Sequence, residues 1–397
     1  MIGLEEAEIE RVFREVYGQA VATVTRTCGD LSAAEDAVQY AFAEAAERWP
    51  VDGVPPNPAG WIITVARNNA IDVHRRRRRG AEIAEAHLVG GSEEEGPVTD
   101  DILRLVFTCC HPSLAFEARV ALTLRVVGGL SVADVARAFL VNEDAMAKRL
   151  VRAKYKIRAA GIPYRVPSSE ELNDRLQSVL AVVYLIFNVG LDKPDQEVLR
   201  GQAIRMGRTL AFLMPDQPEV IGLLALMLLI EARVGSRFEG DTLVLLRDQD
   251  RTRWDRGLVI EGQDLVRACI RRGRPGPYQL QAAIQAVHCD ADRFEDTDWD
   301  QIAILYDQLM VMAPTPVVAL NRAVAIGETK GPLEALTAMD ELSPTLDDYH
   351  LLASCRGVML RRLGREEEAI EAFRRAHQLA PSDREKQLLE RRIAGHE

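Results

Sequence analysis

Runs of β-branched residues with alternating polarity between turns are almost absent from this 397-residue chain, which leaves little from which to build a sheet. Long apolar stretches are missing too. The longest, residues 220–230, stops at Glu231 after eleven residues; it is too short to cross a bilayer and reads as a buried core helix. The start, MIGLEEAEIERV, lacks the basic and apolar stretches of a signal peptide. Six cysteines occur without a CxxC pair, so neither a disulfide framework nor a zinc ribbon is indicated, and a reducing cytoplasm is the simplest location. No GxSxG, HExxH, Walker A or GxGxxG pattern appears. No enzyme, catalytic residue, cofactor or resident metal is therefore expected.

What remains is rich in Ala, Leu, Arg and Glu, which favours an all-α protein. The length calls for two or three domains. Charge is distributed unevenly. Up to Pro167 there are 21 Lys/Arg against 23 Asp/Glu, so most of the net charge of −11 falls on the remainder. Within the first part, residues 119–158 hold nine Lys/Arg against three Asp/Glu, a local excess of the kind that phosphate neutralisation needs.

That basic stretch follows Gly128-Gly129-Leu130-Ser131. Ser131 is a candidate N-cap, and Val132, Val135, Ala136 and Phe139 recur at helical spacing. After a break at Leu140-Val141, Asn142 can cap a second helix whose buried positions are Met146, Leu150 and Ile157. Two short helices with a basic second member fit a helix-turn-helix, whose second helix enters the DNA major groove. Leu140 stands where many such turns place glycine. A solvated helical hairpin is the plain alternative.

Near the start, residues 4–28 form an amphipathic helix, with Leu4, Ile9, Val12, Phe13, Val16, Val21 and Val24 on its apolar face. A second helix follows. Ser32 and Glu35 have capping-box spacing, Ala37, Val38, Ala41, Phe42 and Ala45 form the apolar stripe, and the expected end is Trp49-Pro50. A Pro/Gly-shaped loop leads into a third helix with Trp61, Ile62, Val65, Ala66, Ala70 and Val73 inward, closed by five arginines at 75–79. One or two arginines suit a helix C-terminus; five exceed that need and, with Arg67, make a second basic surface. An aromatic beside such a loop can stack an unpaired base.

The order AEDAVQ-x-AF…RW, Pro/Gly loop, W-x-x-x-x-ARN-x-AID-x-xRRR resembles region 2 of bacterial RNA polymerase sigma factors, and the helix-turn-helix resembles their region 4. The short linker between the two is that of the extracytoplasmic-function (ECF, group IV) family, and the resemblance covers residues ~5–160. It implies that Asp36, Gln39 and Phe42 contact the β′ clamp helices of core polymerase, which would also be held through its β flap. It further implies that Asn57, Trp61, Arg67, Asn68, Arg75 and Arg76 serve the −10 element. Ala145, Lys148, Arg149, Arg152 and Lys154 would serve the −35 element. The loop before Gly60 would take a flipped base. Tyr40 departs from the family's usual acidic residue.

Cys109-Cys110-His111 invites a metal reading, but adjacent cysteines diverge on a helix, and packing at a helix end is the expectation. After the Pro-containing joint IPYRVPSS, some 230 residues remain. Residues 350–383 resemble a tetratricopeptide (TPR) repeat, with Gly357, Gly364, Ala369, Phe373, Ala376 and Pro381 at its spacing. Shifted back one repeat, Ala335 answers Ala369 and Met339 answers Phe373; a weaker echo runs from Ala203. The segment YLIFNVGL, from Tyr184 to Leu191, is similar to a motif of ECF members with a C-terminal extension, from which Val189 and Leu191 depart. Asp248, Asp250, Arg251, Arg253 and Trp254 are either ligand-pocket residues or structural caps and ion pairs.

The expected organisation is all-α: region 2 at 1–80, a linker at 81–99, region 4 at 100–163 and a TPR-like regulatory or partner-binding domain at 164–397. Partners are core RNA polymerase and promoter DNA, with a regulatory protein or ligand on the C-terminal domain and no membrane. A helix-turn-helix regulator with a TPR sensor, not tied to polymerase, is the alternative.

Overall fold

The computed structural model describes residues 2–80, 98–139, 141–191, 197–240 and 242–395. These residues are all-α apart from a two-residue hairpin of Phe238–Glu239 with Thr242–Leu243. They form two compact units, Met1–Leu213 and Met214–Glu397.

The first unit opens with α1 (Ile2–Cys28), α2 (Leu31–Asp52) and α3 (Pro58–Gly80). Tyr17, Ala20 and Val24 of α1 meet Val38 and Phe42 of α2 and Ile62 of α3 in a sealed core. The cap of α2 is Asp30, whose carboxylate accepts from the Ser32 and Ala33 amides at 2.8 and 3.0 Å. Ser32 is therefore inside the helix and not its cap, and Glu35 is freed for another use. Nor does the helix stop at Pro50. Proline in a last turn forfeits one hydrogen bond only, and α2 runs on until the Gly53 amide closes onto the Trp49 carbonyl at 2.9 Å.

Next come α4 (Val98–Cys109), α5 (Phe116–Leu122), a π-helical turn (Thr123–Val127), α6 (Val132–Ala138) and α7 (Glu143–Ala159). The expected linker lies outside the described residues as far as 97, as does Leu140 of the helix-helix turn. Cys109 and Cys110 are sealed in the core, where the Cys110 thiol meets the Thr123 hydroxyl at 3.4 Å. Gly129 has φ +68° and lies so close to Tyr17 that a Cβ there would sit 3.3 Å from the tyrosine's own. Glycine satisfies both demands at once. Ser131 then caps α6 in a reciprocal box with Asp134, and the Asn142 side chain accepts from the Ala145 amide at 2.7 Å to start α7.

Beyond the Pro-containing joint the chain turns back onto the same unit. α8 (Ser169–Val189) and α9 (Glu197–Leu213) lie against α4 and the segment before α6. Arg175 donates to the Phe107 carbonyl at 2.7 Å, the Ser178 hydroxyl to the Cys110 carbonyl at 2.9 Å, and the Gln202 amide to the Gly128 carbonyl. The YLIFNVGL segment ends α8, where Arg200 donates to the Gly190 carbonyl at 2.9 Å. Compactness therefore extends fifty residues past the expected joint at 163/164, because these side chains satisfy backbone carbonyls that the first part leaves open.

In the second unit the apolar run is α10 (Pro218–Glu231), buried on every side between α11 (Arg256–Arg272) and α12 (Pro277–Asp290). α13 (Trp299–Met312) and α14 (Pro316–Thr329) follow, then α15 (Pro332–Asp340), the short α16 (Ser343–Leu346), α17 (His350–Arg362), α18 (Glu366–Leu379) and α19 (Asp383–Ile393). α17 begins one period of about 34 residues after α14. Each of the two is followed by a helix packed against it. The paired positions Ala335/Ala369 and Met339/Phe373 are all sealed. The Gly357 Cα faces the Phe373 ring so closely that a Cβ would lie 2.5 Å from it, which lets α17 and α18 approach.

Candidate nucleic-acid interface

α7 divides its side chains cleanly. Met146, Leu150, Ala153 and Ile157 are buried. Opposite them, at spacings of three and four, stand Ala145, Lys148 and Arg152, all exposed, and the half-buried Arg149. Arg149 lies over the Phe139 ring at 5.5 Å, so α6 orients it, and Arg152 Nε reaches the Lys148 carbonyl at 3.3 Å. Lys148 and Arg152 are exposed cations one turn apart on α7, a spacing suited to phosphate contacts.

Lys154 does not join them. It points the other way, and its Nζ lies 2.9 Å from Glu35 of α2. Arg125 approaches the same carboxylate at 3.5 Å, and the Tyr17 hydroxyl donates to it at 3.3 Å. Glu35 is only 2% exposed, so its charge is compensated inside the fold by these groups. Burial, and next the charge of Glu35, push the Tyr17 hydroxyl well above the ordinary tyrosine range. Arg158 pairs with Asp30 at 3.4 Å. Of the three basic residues toward the end of α7, Lys154 and Arg158 pair with carboxylates at the start of α2, while Lys156 is exposed. Helical spacing alone pairs Glu35 with Ser32 as half of a capping box, which hides its buried role. The available signal was its place among Leu31, Ala34, Val38 and Phe42: a carboxylate on an apolar stripe implies a buried cation.

On α3 the described exposed cations are Arg67 and Arg75. Ile62, Ala66 and Ala70 face inward, whereas Trp61, Asn68, Asp72 and Arg75 fall within one outer stripe, with Arg67 to its side. Asn57, Arg67, Asn68 and Arg75 are exposed. The side chains of Arg76 to Arg79 lie outside the described residues. Asn57 accepts from the Gly60 amide at 2.9 Å and so fixes the start of α3. Trp61 is half-buried and meets the sealed Trp49 edge-on at 5.5 Å. This contact holds the Trp61 ring beside the loop that precedes α3.

On α2, Asp36 and Gln39 are exposed next to Tyr40, whose hydroxyl donates to Glu44 at 2.8 Å. That bond to Glu44 raises the pKa of Tyr40. Phe42 is placed differently. It is 7% exposed and packs on Phe13 at 4.7 Å and on Tyr17 at 6.3 Å, on the inner side of the helix. It supports the exposed face from beneath.

The polar loop of the second unit is used internally. Asp250 caps the turn Arg251–Arg253, and Arg251 donates to the His288 and Ala291 carbonyls at 2.6 and 2.7 Å while lying over Trp254 at 4.7 Å. Arg253 holds the Gly235 carbonyl at 2.7 Å. These residues act as caps and ties.

Three family profiles match the chain: Sigma-70 region 2 at residues 12–80, Sigma-70 region 4 at residues 104–157, and a family of unknown function, DUF6596, at residues 175–270. Uncharacterized protein R00370 of Rhizobium meliloti (strain 1021) is 42% identical, over 91% of this chain and 89% of that protein. ECF RNA polymerase sigma factor SigL of Mycobacterium tuberculosis is 29% identical, over 37% of this chain and 86% of its own length.

Proposed function

The chain belongs to the ECF type of RNA polymerase sigma factor, and from that premise we propose that it docks on core polymerase through the outer face of α2 and directs initiation at promoters with −35 and −10 elements. Asp36 and Gln39 make the contact with the β′ clamp helices, and Phe42 holds their helix in shape. The α7 stripe of Ala145, Lys148, Arg149 and Arg152 reads the −35 element, and region 4 also meets the β flap. Asn57, Trp61, Arg67, Asn68, Arg75 and Arg76 engage the −10 element, with the braced Trp61 ring as the platform for an unstacked base. The protein works in the cytoplasm without a catalytic step of its own.

The observation that carries this reading is the presence of outward cations on two separate helices, Arg67 and Arg75 on α3 and Lys148 and Arg152 on α7. Region 2 is assigned to 1–80 and region 4 to 100–163. The remainder, with TPR-like hairpins in its second half, modulates activity by binding a regulatory protein or ligand. Reconstituted transcription with core polymerase tests the proposal. Specific initiation from at least one genomic fragment, abolished by omitting the chain, is expected. DNA binding without co-purification of the β′ subunit would favour a regulator not tied to polymerase.

A further inference from the structure

The second unit contains a cavity of about 280 Å³ bounded by the end of α10, residues 243–246 and α12. Its walls divide by chemistry. Residues 243–246, with Val234, supply aliphatic surface, while Arg233, Arg237, Gln249, Gln285 and His288 bring polar groups to the same space. Among the described residues lining it, none is acidic.

Arg233 Nε, His288 Nδ1 and Gln249 Oε1 are among the buried polar atoms around this cavity that lack a hydrogen-bond partner. Gln285 accepts from Arg233 Nη2, and Arg233 lies over the Trp254 ring at 5.7 Å, so the guanidinium is held in place while Nε is left over. Gln249 is fixed by its amide, which donates to the Val244 carbonyl at 3.3 Å. His288 is 7% exposed and edge-on to Trp299 at 5.2 Å. A buried cation and unsatisfied buried polar atoms are costly for a folded chain. A ligand with matching donors and acceptors would satisfy such a set.

We propose that this cavity binds a small organic carboxylate with an apolar body and a hydroxyl group. The carboxylate meets Arg233 Nε and His288, the body lies against residues 243–246, and the hydroxyl donates to Gln249 Oε1. A volume of about 280 Å³ accommodates a single-ring or short-chain acid. Burial, with Arg237 and Arg251 nearby, lowers the pKa of Arg233. His288 is pushed down to about 3 by burial and by Arg233 and Arg251, so at neutral pH it is an uncharged imidazole with one N–H to donate. This site stands apart from the promoter reading and is tested without polymerase or DNA.

The test is isothermal titration of the full chain with 4-hydroxybenzoate, benzoate and phenol. Saturable binding in the order 4-hydroxybenzoate, benzoate, phenol is expected, with at least tenfold between benzoate and phenol. Arg233→Met should lose at least tenfold in affinity for both acids, and Gln249→Leu should erase the advantage of 4-hydroxybenzoate over benzoate. No saturable binding of either acid, or phenol binding as tightly as benzoate, overturns the proposal. So does an Arg233→Met chain that binds benzoate unchanged. Should Arg233→Met not accumulate as folded protein, the comparison of benzoate with phenol on the unaltered chain decides alone.

Discussion

Lys154 of α7 donates to Glu35 of α2 at 2.9 Å across two elements 119 positions apart in sequence, with 20% and 3% of the two side chains exposed. A cation in this setting stabilises the contact between helices and is not at hand for phosphate. Lys154→Ala leaves Glu35 with one fewer compensating charge and is expected to cost about 3 kcal/mol of unfolding free energy. The salt dependence of promoter binding should stay as it is. Denaturant unfolding and DNA titrations at several salt concentrations measure the two effects separately. Loss of salt dependence without loss of stability would return Lys154 to the DNA face.

Lys148 and Arg152 should behave in the opposite way. Both are exposed, so Lys148→Ala and Arg152→Ala are expected to leave unfolding within ~0.5 kcal/mol of the unaltered chain. Each should reduce the slope of log affinity against log salt by about 0.9, the contribution of one phosphate contact. Slopes unchanged in both variants would remove α7 from the interface.

Asp36 and Phe42 separate in the same manner on α2. Phe42→Ala opens a hole beside Phe13 and Tyr17 and is expected to destabilise by about 3–5 kcal/mol. Asp36→Ala should leave stability unaffected and weaken association with core polymerase, measured by co-sedimentation. If Phe42→Ala lowered polymerase affinity with an unchanged melting temperature, its role would be direct contact.

Local chemistry was legible in the sequence and long-range pairing was not. Ser131 and Asn142 were recognisable as caps because a cap is decided by the next three residues. Met146, Leu150 and Ile157 followed from helical period alone. Glu35 was misread because the same S-x-x-E spacing describes a capping box; the choice of Asp30 as cap turns on neighbours that spacing does not see. The return of α8 and α9 onto the first unit depends on Arg175, Ser178 and Gln202 finding carbonyls some seventy residues upstream. No pattern in α8 or α9 announces those acceptors. The cavity polar set was missed for the same reason: Arg233, Gln249 and His288 lie on three separate segments.

A chain ending after Pro167 loses α8 and α9, and with them the donors to the Phe107, Cys110 and Gly128 carbonyls. The truncation also strips the apolar cover that Leu180, Val183, Phe187 and Met206 provide, which returns core surface to water. Calorimetry should therefore show a lower melting temperature for this truncation than for one ending after Leu213, where the first compact unit closes. The longer truncation is the one that reports on control by the second unit. Equal melting temperatures would mean that α8 and α9 contribute nothing to the first unit.

His288 makes the second unit sensitive to acid. Burial, reinforced by Arg233 and Arg251, lowers its pKa from 6.5 to about 3, so the folded state holds it neutral while the unfolded chain protonates it near 6.5. Over that interval the unfolded state binds the extra proton, and stability falls as pH falls. The contribution is fully present above pH 6.5 and is lost progressively toward pH 3, with a slope of up to about 1.4 kcal/mol per pH unit. Replacing His288 with Gln removes the titrating group, so the difference in unfolding free energy between the two chains should shift against the histidine form between pH 7 and pH 5. Chemical denaturation at those two values measures it, and a difference that does not change with pH would show that His288 is as readily protonated in the fold as outside it.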